Sequence, residues 1–278
     1  MKCPFCKSNN TREIKRIKSW MNNKIYTLWF CKSCLLEFFT PLKFENVTHI
    51  CPDYEEFHKG RKSVPEWTKE VIKFLKKHNI ELKNKKILEI GAGDCVNFIA
   101  LKNSGLKNKN YYAVEIDEKA IKICKKRGIN NIFHKFFNKK FKTDIKFDII
   151  LCLEVLEHQT KPKEFLKKCF SLLKKDGLLI ISVPNKDRFL LKERERGDIP
   201  PHHFLRFNKS FFRKNFREKI MYIKTFRFKN KSILLTSKRI SLKIIKTSSL
   251  WFLFIPLSLI IKILDSINGE GLIVVLRK

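Results

Sequence analysis

The chain has 278 residues, with 60 lysines and arginines against 27 acidic residues and a formal net charge of +33. Its 44% hydrophobic and 12% aromatic content can bury a core, which excludes a disordered basic tail. The length suits one full domain with a small appendage rather than two large domains. Lysine outnumbers arginine 47 to 13 and is spread over the whole length. That usage reads as AT-rich compositional drift, since a surface built to grip phosphates would favour arginine. No run of about 18 apolar residues is present, so a membrane-spanning helix is not expected. The opening MKCPFCKSNN lacks the apolar stretch of a secretory signal, and a cytoplasmic protein is expected.

Four of the nine cysteines form two matched pairs, Cys3-Pro-Phe-Cys6 and Cys31-Lys-Ser-Cys34. Each pair turns two thiolates toward one point, and four thiolates close a tetrahedral Zn²⁺ shell. Between them, Thr11–Trp20 and Lys24–Phe30 read as strands around a turn at Asn22-Asn23. This is the build of a zinc ribbon, in which the metal supplies folding energy that so small a segment lacks. Cys51, Cys95, Cys124, Cys152 and Cys169 are scattered, and they read as buried small hydrophobes.

Further along, strands and helices alternate. Lys86–Ile90, Tyr111–Ile116, Ile132–Phe136, Phe147–Leu153 and Leu178–Val183 read as strands. Helices are expected over Val96–Ser104, over Asp117–Arg127 with Asp117 as N-cap, and over Pro162–Lys174. Strand, helix, strand at this spacing means parallel crossovers and helices on both faces of a sheet. The chain divides into a ribbon over 1–45, a linker and leading helix over 46–80, and an α/β domain over 81–278.

In such sheets ligands bind beyond the carboxyl ends of the strands. After the first strand comes Glu89-Ile-Gly91-Ala92-Gly93-Asp-Cys95-Val96, whose glycines permit a tight turn and close approach of a ligand. Val96 stands where a dinucleotide fingerprint has its third glycine, which argues against a nicotinamide cofactor. Glu115 closes the second strand, where a carboxylate meets ribose hydroxyls. His158, His202 and His203 follow later strands and are candidate bases near neutral pH.

These features together resemble class I S-adenosylmethionine-dependent methyltransferases. Glu-x-Gly-x-Gly, the acid after strand two and the segment Leu153-Glu-Val-Leu-Glu-His158 carry the likeness over about residues 80–185. The branch that includes the ubiquinone-biosynthesis O-methyltransferases is the most similar, and some bacterial members of the wider group also bear an N-terminal zinc ribbon. The resemblance implies a Rossmann-like seven-stranded sheet with S-adenosylmethionine as cofactor. Gly91, Ala92 and Gly93 would pass under its methionine part, and Glu89 would fix the turn and the amino group. Glu115 would hold the ribose, with Leu153 and Glu154 completing the site. The acid often found after strand three is absent, since that stretch reads Phe136-Phe137-Asn138. Glu154, Glu157 and His158 match a Glu-x-x-Glu-His pattern that binds a divalent ion, Mg²⁺ or Mn²⁺, in some relatives. His202 or His203 would be the further ligand. The alternative is that both acids orient the loop and His158 is merely hydrogen-bonded.

Beyond Asn185, Lys186–Asp198 reads as a lid and Asn208–Asn215 as a short helix. Met221–Phe228 and Gly271–Leu276 read as strands six and seven, pairing beside strand five with the last antiparallel. Leu250–Leu264 is apolar but interrupted by Pro256 and Lys262. It reads as a helix buried against the sheet, or alternatively as a segment touching a membrane surface. The expected function is O-methylation of a small-molecule, sugar- or lipid-linked substrate. The alternatives are an RNA-modifying methyltransferase, with Trp20, Tyr26 and Trp29 of the ribbon stacking on bases, and a non-catalytic binding protein.

Overall fold

The structure is a computed structural model that describes residues 1–43, 59–188, 198–227, 241, 249–257, 259–260 and 268–278. Seven strands make the main sheet: β4 (Ile87–Ile90), β5 (Tyr111–Glu115), β6 (Ile132–His134), β7 (Phe147–Leu153), β8 (Leu173–Pro184), β10 (Ile220–Phe226) and β11 (Gly271–Arg277). Their order is β10-β11-β8-β7-β4-β5-β6. Neighbours from β6 through β8 are parallel, and β11 inserts antiparallel to both β8 and β10. The seven-stranded sheet and its antiparallel last strand are as the sequence implies.

Side chains of a strand alternate between faces, and here both faces are apolar. Ile149, Leu151 and Leu153 join Ile87, Ala113 and Ile180 in one core, while Ile150 and Cys152 join Leu88, Val114 and Leu179 in the other. Buried on both sides, β7 needs its near-continuous hydrophobic run. Helix α1 (Glu66–Lys77) presents Val71, Phe74 and Leu75 at i, i+3 and i+4 spacing and packs on β10 and β11. Glu66 lies in its first turn and Lys76 and Lys77 in its last, which complements the helix dipole. Helices α2 (Val96–Asn103) and α3 (Glu118–Lys126) follow β4 and β5; Asp117 caps α3 by accepting from Ala120 N.

The opposite face is covered by α4 (Pro162–Leu172), α5 (Lys209–Phe216) and a second, four-stranded sheet, β1 (Thr11–Lys18), β2 (Ile25–Cys31), β3 (Glu37–Thr40) and β9 (Leu205–Arg206). Cys3, Phe5, Tyr26 and Phe38 of this N-terminal unit share one core with Leu88, Ile150 and Leu179 of the main sheet. Strand β9 belongs to the α/β part of the chain yet pairs with β3 of the ribbon.

Three expectations need correction. Helix α4 stops at Leu172, and strand β8 already begins at Leu173, which is buried and paired with Phe147. Sheet pairing overrides the helical periodicity at that point. The described residues of the 250–264 run are not buried: Phe252, Leu253 and Ile260 are 51%, 60% and 53% exposed. Helices α1 and α5 already pack against β10 and β11, where such a helix was expected to lie. Cys95 and Cys124 are joined as a disulfide rather than standing as separate hydrophobes, because β4 and β5 bring the loop and α3 side by side. Cys51 and residues 189–197 of the expected lid lie outside the described residues.

Candidate active site

The glycine turn after β4 lies beneath the end of β5. Gly91 and Gly93 have φ of +67° and +54°. A side chain on Gly91 would meet Val155 of the β7 loop, its Cβ coming within 2.7 Å of Cγ2. Glu115 is nearly buried, and its carboxylate closes over the turn. Its Oε2 accepts from Gly93 N at 2.7 Å, and Oε1 accepts from Ile116 N and Asp117 N at 2.7 and 2.9 Å.

Glu89 stands behind this turn, fully buried, accepting from Tyr111 Oη and Asn97 Nδ2. Thr68 of α1 donates in turn to Asn97, so a buried polar chain ties α1, α2 and β5 to β4. Burial pushes the Glu89 carboxyl up to about 7, although both hydrogen bonds pull the other way.

Sequence reasoning missed the residues that hold the turn. Asp94, wholly buried, accepts from Arg61 N, Nε and Nη2 at 2.6, 3.1 and 2.7 Å. Arg127 Nη1 donates to Asp94 O at 2.6 Å, and its Nη2 donates to Arg61 O at 2.7 Å. The Cys95–Cys124 bond crosses the same gap. Arg61 precedes the turn by 33 residues and Arg127 follows it by 33, so no local spacing marks them.

The loop after β7 carries the second group. Glu154 has φ of +56°, and its Oε1 accepts from Ser182 Oγ at 2.8 Å. A single 3-10 turn, Leu156–His158, brings Glu157 and His158 inward. His202 and His203 arrive from the turn after Ile199, and the rings of His158, His202 and His203 lie 4.4–4.7 Å apart between centroids. One ligand atom of each imidazole lies within 4.8 Å of the others. Glu154, turned toward Ser182, is not in this group, so the atoms converge differently from the Glu154, Glu157, His158 trio of the sequence pattern.

Glu157 is buried with both carboxylate oxygens lacking a hydrogen-bond partner among the described residues. Its Oε1 lies 3.8 Å from His203 Nε2 and 4.0 Å from His158 Nε2. Burial, then repulsion from Glu154, pushes Glu157 well above the usual carboxylate range. Burial and the neighbouring imidazoles hold His158 and His203 well below the ordinary histidine value. His203 Nδ1 also faces Asp198 at 3.4 Å, and Asp198 pairs with Arg188. His158 Nδ1 lies 2.7 Å from the His202 carbonyl, which can only accept, so Nδ1 carries the proton.

In the ribbon, Cys3 Sγ and Cys34 Sγ lie 3.6 Å apart and Cys6 Sγ and Cys31 Sγ 3.5 Å apart, with all four sulfurs within 4.8 Å.

A twice-covered sheet of this order, with a glycine turn after its first strand and an acid after its second, is the fold of class I S-adenosylmethionine-dependent methyltransferases. The profile of the family described as "Methyltransferase domain" matches residues 57–220, more than half of the chain, and the chain belongs to that family. It is similar to the ubiquinone biosynthesis O-methyltransferase of Rickettsia bellii (strain OSU 85-389), 24% identical over 148 residues, covering 52% of this chain and 62% of that protein. The protein of the same name from Haemophilus ducreyi is 27% identical over 112 residues, covering 37% of this chain and 46% of its own. The chain thus spans about half the length of these relatives. The crystal structure of a SAM dependent methyltransferase from Archaeoglobus fulgidus superposes with a TM-score of 0.52 at 19% identity, covering 81% of this chain and 98% of that one; this likeness speaks for the fold.

Proposed function

We propose that this enzyme methylates an oxygen of a small acceptor, with a neutral histidine receiving the acceptor's proton. S-adenosylmethionine, when bound, supplies a sulfonium methyl already activated toward a nucleophile. Gly91, Ala92 and Gly93 would hold its methionine part, Glu115 the ribose hydroxyls, and Glu89, Leu153 and Glu154 the remainder of the pocket. The residues fit that group: Gly91 and Gly93 make the turn without side chains, and Glu115 Oε2, with one backbone bond, retains a lone pair for a hydroxyl. The chain's own work is then to align the acceptor, exclude water and take a proton. The carrying observation is the convergence of three imidazoles, two of which, His158 and His203, face the Glu157 carboxyl, on the same loop whose Val155 covers Gly91. His158 Nε2 would accept the proton, with the Glu157 carboxyl 4.0 Å away.

The orphaned Glu157 favours a second reading of the same cluster, a divalent ion held by His158, His202, His203 and Glu157. Nitrogen-rich donors suit Mn²⁺ or another transition-metal ion better than Mg²⁺. The four ribbon sulfurs fit Zn²⁺, for which a 2.3 Å bond implies tetrahedron edges of about 3.8 Å. A small acceptor is also supported by the relatives' name and by the ribbon aromatics. Tyr26 is buried, which removes one of the three rings an RNA reading would use. The exposed Phe252, Leu253 and Ile260 support peripheral contact with a lipid surface.

Calorimetry with S-adenosylmethionine and its demethylated product should show binding to the wild type and none to Gly93→Arg. Label transfer into fractionated host extract should fall on the order of 10²–10⁴-fold in His158→Ala. Loss with EDTA as well would favour the ion over the free base. Activity that survives both treatments removes the histidine cluster from the reaction.

A further inference from the structure

The turn that carries His202 and His203 is poor in bonds of its own. Pro200 and Pro201 have no N–H to donate, and His202 N and His203 N both reach the one carbonyl of Ile199 at 3.2 Å. Toward the main sheet it is tied by Phe204 N to Glu157 O at 3.0 Å and by His158 Nδ1 to His202 O at 2.7 Å. Its other side rests on the N-terminal ribbon. Ser19, completely buried at the end of the β1 hairpin, donates from Oγ to Pro200 O at 2.7 Å across 181 residues of chain. Phe39 N of β3 donates to Phe204 O at 2.9 Å, and the antiparallel pairs Phe38–Leu205 and Glu37–Arg206 continue the ladder. The Glu37 carboxylate then faces Arg206 Nη1 at 3.7 Å and Lys186 Nζ at 3.0 Å, gathering both ends of the post-β8 segment.

We propose that the ribbon is a positioning element of the transfer site: Ser19 and the β3 edge hold the turn 199–206 so that His202 and His203 meet His158. Ser19 Oγ donates to Pro200 O and accepts from Met21 N at 3.2 Å, so among the described residues its hydroxyl reaches the histidine turn through the Pro200 carbonyl. This assigns the N-terminal unit an internal task in place of a separate binding role. It deepens the reading of the histidine cluster as the transfer site and rests on that reading.

The test compares wild type, Ser19→Ala and Ser19→Thr as full-length protein labelled on histidine, with the ring C–H signals followed by NMR. In Ser19→Ala the signals of His158, His202 and His203 should shift or broaden, while His78 and His134, away from the turn, stay in place. Ser19→Thr, which keeps the hydroxyl, should restore them. Calorimetric affinity for S-adenosylhomocysteine should be the same in all three, because the cofactor turn is held elsewhere. Unchanged cluster signals in Ser19→Ala overturn the proposal, as does a Ser19→Thr variant as perturbed as the alanine. If Ser19→Ala does not fold, Glu37→Gln tests the same ladder by the same signals. A wild type that fails to bind S-adenosylhomocysteine would count against the enzymatic reading instead, and would leave the NMR comparison intact.

Discussion

The two ends of the candidate site are built in contrasting ways. At the cofactor end the partners are near in sequence: Gly93 and Glu115 are 22 residues apart, Asp94 and Arg127 are 33 apart, and Cys95 and Cys124 are 29 apart. Two successive strand–helix units bring these groups together, so adjacent parallel strands suffice. The histidine end spans 44 residues from His158 to His202 and 181 from Ser19 to Pro200. It exists only when the ribbon, the main sheet and the post-β8 segment are all in place. The glycine-turn end is encoded locally, whereas the histidine end is assembled over distance.

The sharpest way to break this contrast is to unmake the ribbon. Cys34→Ser should abolish stoichiometric zinc and remove several kcal/mol of stability, since metal binding in such units is folding energy. Because Cys34 lies in the core shared with Leu88 and Ile150, and its carbonyl accepts from Asn215, the loss should reach the whole domain. Calorimetric unfolding in which the α/β domain keeps its melting temperature would show two independent units, and the contrast would fail.

The next test is confined to the cofactor end. Replacing both Cys95 and Cys124 by alanine should cost roughly 3.5 kcal/mol if loop closure in the unfolded chain dominates. Urea unfolding would measure it, and the histidine signals should not move.

The smallest effect is one of pH. Glu89 ionises at about 7 in the folded chain against an ordinary 4.5, so the native state keeps a proton that the unfolded state has lost. The stability it contributes is complete below pH 4.5 and disappears as pH rises toward 7, by up to about 3 kcal/mol. In Glu89→Gln that part of the pH dependence should be absent. A variant with the same slope as wild type would move the effect to another buried acid such as Glu154.

Much of the cofactor end was legible in the residues themselves. The glycine turn, Glu115 and the N-cap Asp117 announce themselves because each answers to local geometry: a positive φ, a strand end, an orphan amide. The clamp around Asp94 did not, since Arg61 and Arg127 have no spacing rule and their charges are lost among 60 basic residues. The 250–260 run, none of whose described residues is buried, misled for a related reason. Apolar content predicts burial only where an open apolar face remains to receive it, and α1 and α5 already pack against β10 and β11.

From residue order alone came the alternation of strands and helices, the four-thiol ribbon and the identity of the three histidines. These depend on periodicity and short-range spacing, which one strand or turn can express. The tertiary structure decided that β3 pairs with β9, that Glu154 turns to Ser182 while Glu157 stays among the imidazoles, and that Ser19 bonds Pro200. Each of those choices sets one buried polar group against all the partners the folded chain can offer, and that competition begins only once the two sheets have packed.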